Sequence, residues 1–208
     1  MSGPASWLSS VAGAAFVSAV ELDGVQVGQF MLSRPLVLGP LLGLLFGVPE
    51  TGLALGLCGE LLSLDDLPLG GNLPLNVTVA VSAALLLTCG PRPVPPELAL
   101  PAGLLAGWAH RCLETSLRHR RREYSSLAES RVRQGARPPW GRLIAGALAE
   151  QAAGTFAVLL VCVFVAGPAL RGLWPYAPRV VVVALAWAWW LAPWLGLGSA
   201  AYALRVNA

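Results

Sequence analysis

Charge is what this chain has least of. Asp, Glu, Lys and Arg make up 12% of its 208 residues, and 56% are hydrophobic. The mean hydropathy is +0.66. A soluble domain carries roughly a quarter of its residues charged, so a soluble fold is excluded. The length instead supplies about six or seven membrane-crossing segments of about 20 residues each. Lysine is missing altogether, and all 14 basic residues are arginine. Nothing in the physics of folding demands that choice, which reads as the base composition of a GC-rich genome. The net charge of +3 is no footprint of nucleic-acid binding, because the arginines cluster beside hydrophobic segments.

Other scarcities exclude chemistry. Cys58, Cys89, Cys112 and Cys162 are far apart, sit in apolar surroundings and form no CxxC spacing. That excludes a zinc site or a redox pair and leaves them as small buried hydrophobes. The two histidines are His110, at an expected helix end, and His119, in a polar stretch. Neither has an acid or nucleophile at fixed spacing, so no catalytic residue is expected. Glu21, Asp23, Asp65 and Asp66 miss the i, i+4 spacing that would gather them around one Mg²⁺. Asp23-Gly24 also lacks the downstream positions of phospholipid-synthesising alcohol phosphotransferases. No metal and no cofactor is expected. No basic residue precedes Arg34, so the apolar start lacks the positive region of a signal peptide. It reads as a retained helix, about residues 7–22.

What remains is an all-α, polytopic chain. Apolar half-segments occupy about 35–48 and 51–64, parted by Pro49-Glu50-Thr51. A turn-rich stretch, DDLPLGGNLPLN (65–76), follows. Further spans run at about 76–90, 97–113, 143–170 and 177–204. Residues 114–142 are hydrophilic, and nine arginines fall between Arg111 and Arg142. Such an excess beside membrane segments marks the cytoplasmic side. The expected division is a membrane region (1–113), an Arg-rich cytoplasmic loop (114–142) and C-terminal membrane helices (143–208). With that loop inside, a 35–64 hairpin enters and leaves from the same inner face and the 91–97 turn lies outside. Arg171 and Arg179 weigh mildly against this orientation. Trp187, Trp189, Trp190 and Trp194 are too closely spaced for one interfacial belt, so part of the cluster should meet lipid or a partner.

Glycines recur every fourth residue at 39, 43 and 47, at 52 and 56, and at 103 and 107. On helices they make stripes that let backbones approach closely, which tight packing alone explains. Half-length helices are more telling, because backbone that stops inside a bilayer must be buried in protein or line a wet cavity. Transporters use such breaks to point helix ends at a ligand. Two short tilted spans in a thinned bilayer would satisfy the same lengths. Glu60 lies inside the second half-segment, where an ionisable group is costly. Its carboxylate suits two sugar hydroxyls, or else it snorkels to interfacial water. Asn72 and Asn76 flank Pro74, and their amides suit a polyhydroxyl ligand, although turn chemistry also favours Asn there. Gln29 is a weaker candidate, and Arg34 before Pro35 reads as an anchor.

The run QFMLSRPLVLGPLLGLLFGVPETGLALGLCGELLSL (29–64), with DDLPLGGNLPLN after it, resembles the membrane-embedded IIC component of the mannose/fructose/sorbose class of the sugar phosphotransferase system. The shared elements are a QxxxxRPL-type entry, a Gly-rich hairpin, an acidic turn before TG, a Glu-containing segment and a Gly/Pro stretch. The resemblance implies a multi-pass permease subunit of the bacterial inner membrane that binds and translocates a hexose-type sugar. It implies a IID-type membrane partner and cytoplasmic IIA and IIB phosphocarriers, so this chain need not be an enzyme itself. By position it implies Glu60, Asn72 and Asn76 as substrate-binding residues, to which Gln29 is added as the weaker candidate, with elevator-like movement; a homo-oligomer is compatible with it. The chain departs from the family pattern in its Arg-rich segment, in reading PLN where relatives tend to carry an acidic residue after the proline of the Gly/Pro stretch, and in its shorter length. Two other readings stay open: a membrane scaffold that docks phosphocarriers without moving sugar, and a sugar transporter outside the phosphotransferase chain.

Overall fold

The computed structural model describes residues 7–24, 26–63 and 73–206, and these are helical with short connections. Seven helices follow one another: α1 (Trp7–Glu21), α2 (Pro35–Leu45), α3 (Pro49–Leu62), α4 (Val77–Cys89), α5 (Pro96–Arg133), α6 (Trp140–Tyr176) and α7 (Arg179–Val206). Inside α6 the turn Cys162–Ala166 widens to π geometry directly before Pro168. Proline has no N–H to return to the preceding turn, and the wider turn absorbs that loss.

The short helix α4 is the core. Residues 79–87 are all buried, as expected for a helix that is apolar all round. It is packed by α1, α2, α3, α5 and α6. The glycine stripes do what their spacing predicts. A Cβ on Gly39 would overlap the Gly52 carbonyl, and one on Gly56 would lie 2.5 Å from the Pro35 carbonyl oxygen. Thus α2 and α3 touch backbone to backbone. On α5, Gly107 lies against α4, where a Cβ would come within 2.6 Å of the Asn76 carbonyl oxygen.

With 11 and 14 residues, α2 and α3 are about 16 and 21 Å long, short of a core of about 30 Å. They form the expected hairpin. The start of α2 and the end of α3 lie at one end of the bundle, with Glu21 of α1 and Asn76 before α4. Its tip, near Phe46, packs on Gly13 of α1 at the other end. By length and composition, α6 and residues 179–198 of α7 can cross a bilayer.

The Arg-rich segment differs from expectation. Rather than a loop over 114–142, α5 runs unbroken to Arg133, and α6 starts at Trp140. The residues lack apolar periodicity but are good helix formers. The pairs Arg118–Glu114 and Arg133–Glu129 lock successive turns at i, i+4. The true connection is short: Gly135 has a φ of +70°, and Pro138 and Pro139 precede α6. Leu113 and Leu117 pack on Gly154, and the Tyr124 hydroxyl donates to Glu150 Oε1 at 2.5 Å. The segment is therefore a helical hairpin extending α5 and α6 past the polar end.

The tryptophans divide between core and surface. Trp189 packs on the core, while Trp187, Trp190 and Trp194 are exposed along α7. Among the cysteines, Cys58 and Cys162 are buried, but Cys112 is exposed. It lies on the outward side of α5, away from its buried His110 face.

Candidate functional site

Where α1 and α3 end and α2 and α4 begin, a cavity of about 600 Å³ opens at the polar end. Its polar lining comes from Glu21, Gln26, Ser33, Arg34, Ser63, Asn76, Thr78, Glu114, Arg118, Arg121 and Gln151. One wall is the connection before α2, which Asp23 shapes. That buried carboxylate accepts hydrogen bonds from Phe30 N (2.7 Å) and Leu32 N (2.8 Å). The pinned loop passes through positive φ at Gly28, Gln29 and Met31. Thr78 then ties it to α4 by donating to the Ser33 carbonyl at 2.7 Å.

Beneath the cavity lies a directional hydrogen-bond chain. Asn76 caps α4: its Oδ1 accepts from Val79 N at 3.0 Å, which fixes the amide's orientation. Its Nδ2 therefore donates twice, to Glu21 Oε1 and to His110 Nδ1, each at 3.1 Å. Since Nδ1 accepts, the His110 proton sits on Nε2 and points at Thr155 Oγ1, 2.9 Å away. The Thr155 hydroxyl has one proton for two acceptors, Glu21 Oε2 at 3.3 Å and the Gln151 carbonyl at 3.1 Å. Gln151 Nε2 also approaches Glu21, at 3.4 Å from Oε1, while its Oε1 accepts from Arg121 Nη2 at 2.8 Å. Asn76 Nδ2, Gln151 Nε2 and the Thr155 hydroxyl all approach the Glu21 carboxylate, an acceptor-only group. The chain ties together α1, α4, α5 and α6.

The expected site residues fare unequally. Asn76 stands in the cavity wall and in the chain beneath it. Glu60 does not line the cavity. It lies at the hairpin mouth, 3.4 Å from Arg34 Nη1, and accepts from Leu36 N at 3.3 Å. Arg34, read as an anchor, is thus the cavity-lining partner of Glu60. Gln29 is exposed in the loop and outside the lining. Asn72 lies outside the described residues, as do Asp65 and Asp66. His110 is not at a helix end: α5 continues past it, and the ring is 1% exposed at the centre of the network. Glu21, Thr155 and Gln151 went unrecognised, and only the presence of polar side chains inside apolar spans signals them.

A buried polar floor under an open cavity, at the mouth of a half-length hairpin, defines a polytopic helical membrane protein of transporter architecture. The family model for the "PTS system sorbose-specific IIC component" matches residues 8–205, and the chain belongs to that family. A protein of Escherichia coli (strain K12) named "Putative N-acetylgalactosamine permease IIC component 2" is 36% identical over 81 residues. That match covers 38% of this chain and 59% of the relative, so the chain spans little more than half the length of this relative. A solved structure titled "Structure of membrane protein" superposes with a TM-score of 0.75 at 18% identity, covering 95% of this chain and 78% of the other. A complex of the mannose transporter ManYZ with microcin E492 superposes with a TM-score of 0.64 at 18% identity, covering 94% and 79%. At that identity the likeness is one of fold.

Proposed function

We propose that the chain is the sugar-translocating IIC subunit of a phosphotransferase permease, with the cavity at the hairpin mouth as its hexose site. The observation that carries this reading is the convergence of Glu21, Asn76 and Gln151 on one cavity from three helices. The Glu21 carboxylate and the Asn76 Oδ1 keep lone pairs to accept with, and Gln151 Nε2 has a second proton to donate, the mixture that vicinal hydroxyls require. Glu60 takes a supporting role by holding Arg34 and the start of α2 in place. The substrate class is a neutral hexose or an N-acetylated amino sugar. The latter is favoured by the name of the Escherichia coli relative, and the ManYZ likeness favours a second membrane subunit of IID type. IIA and IIB carriers would supply phosphate from the side on which the Arg-rich helical hairpin projects, and its positive charge supports the cytoplasm as that side. The membrane is then the bacterial inner membrane.

The test is a thermal-shift screen of purified protein, co-expressed with any IID partner. The ligands are mannose, glucose, fructose, sorbose, N-acetylglucosamine and N-acetylgalactosamine. One sugar should stabilise the wild type, and Glu21→Gln should abolish that shift. A shift that survives in Glu21→Gln but disappears in Glu60→Gln would move the site to the hairpin. No shift from any sugar in folded protein would reject the sugar site.

A further inference from the structure

Three arginines, Arg34, Arg118 and Arg121, line the cavity against two carboxylates, Glu21 and Glu114. We infer that it contains an anion subsite, built by Arg121 with Arg118 and Arg34, for an oxyanion carried on the sugar. The inference rests on the sugar-site reading and deepens it. Arg118 and Arg121 lie one turn apart on α5 and line the cavity from one wall; Arg34 lines it from the hairpin mouth. Two of the three have carboxylate partners that leave donors over. Arg118 spends Nε and Nη2 on a single oxygen of Glu114, and Arg34 meets Glu60 through Nη1 alone.

Arg121 is different. None of the ion pairs among the described residues includes it. Its Nη2 is held by the neutral amide of Gln151, and its Nε is buried without an acceptor. A guanidinium offers five donors in a planar fork that matches phosphate and carboxylate. Arg121 is half-buried, and its Nε lacks the acceptor a buried donor needs, so its hydrogen-bonding capacity is unspent. Gln151 orients the fork while its own Nε2 turns to Glu21, so one amide joins the anion subsite to the hydroxyl-binding floor. The ligand chemistry is a monosaccharide bearing a compact oxyanion: a phosphate ester or a sugar acid. The subsite binds; no bond is made or broken in it.

Binding to the full-length protein, with any IID partner, tests this by calorimetry. The ligands are mannose, mannose 6-phosphate, N-acetylgalactosamine and its 6-phosphate, glucuronate and inorganic phosphate. The readout is the ratio of anionic to neutral affinity within one preparation. In the wild type at least one anionic sugar should bind about tenfold tighter than its neutral counterpart, the size of one charge-assisted hydrogen bond. Arg121→Gln should bring the ratio close to one, and raising salt should shrink it. Preference for the phosphate ester over glucuronate identifies a product-like ligand; the reverse identifies a sugar acid. If Arg121→Gln does not fold, Arg121→Lys and Arg118→Gln each should lower the ratio. Equal affinities in the wild type, or an undiminished ratio in the variants, overturn the subsite even where the hexose binds. Tight binding of an anionic sugar, with no neutral hexose binding, keeps the subsite and rejects the neutral-hexose reading. Binding of inorganic phosphate alone, with no sugar adding to it, overturns the inference.

Discussion

At the residue scale, two side chains hold the site in shape by filling hydrogen-bond positions nothing else can reach. Asp23 satisfies two backbone N–H groups of the loop that walls the cavity. Asp23→Ala orphans both, and the expected cost is about 2–4 kcal/mol, from about 1–3 for each unsatisfied group discounted for partial exposure. Thermal melting should show the loss, with proteolysis appearing first in residues 26–34. A variant melting like the wild type would deny the loop its anchor. Asn76 has two roles that a pair of substitutions separates. Asn76→Ala removes the cap of α4 and both amide donors. Asn76→Asp keeps a cap oxygen but faces Glu21 Oε1 and His110 Nδ1 with acceptor against acceptor. If the directional chain matters, Asn76→Asp is also destabilised, by about 1–3 kcal/mol. If only the cap matters, it melts with the wild type. The sequence shows Asn76 beside Pro74 and suggests polar recognition, but it cannot pair Glu21 with Thr155, 134 positions away. Spacing arguments reach along one helix; this site is assembled from four.

At the element scale, the α2–α3 seam was the most legible part of the fold. Glycine at every fourth position leaves little besides backbone to pack. Gly39→Ala places a methyl group on the Gly52 carbonyl, and neither backbone can retreat without separating the hairpin. The expected result is loss of folded protein, seen as aggregation in size-exclusion chromatography. Gly141→Ala is the matched control: nothing lies within 4 Å of the added carbon, in the first turn of α6. It should be neutral or stabilising by about 0.4–1 kcal/mol, through a less disordered unfolded chain. Equal behaviour of the two would dismiss the close-contact account. The Arg-rich segment was the least legible element. Its hydrophilic composition suggests a loop, because helices in such stretches are held by i, i+4 pairs and a packed partner, not by an apolar stripe. Tyr124 and Glu150, 26 residues apart, supply part of that partnership and cannot be matched beforehand.

At the scale of the whole molecule, polarity is sorted to one end. The cavity, the hairpin mouth and the arginine-rich extension of α5 lie together, as the expected entry and exit of the hairpin require. The apolar cavity of about 450 Å³ between α1 and α2 lies at the other end, beside Phe46. The arginine count predicts that the arginine-rich end faces the cytoplasm. In intact cells, Cys-substituted Arg137 should be shielded from an impermeant thiol reagent and Cys-substituted Arg92 should react, each in a background with Cys112 replaced. The opposite pattern would invert the protein and move the proposed sugar cavity to the outer face. The family was legible because 29–64 keeps its motif order, whereas the cavity's arginines sit on α5, outside that run.

The glycine seam also constrains how the protein is made. Neither α2 nor α3 reaches the length of about 20 residues that a lone segment needs to span. When α2 leaves the ribosome it cannot be integrated by itself and must wait for α3. With backbone meeting backbone at the glycines, few side chains need arranging for the two to close into one unit. Chains truncated before Ser63 are therefore expected to resist membrane integration, and chains carrying both helices to bring the hairpin in as a single piece.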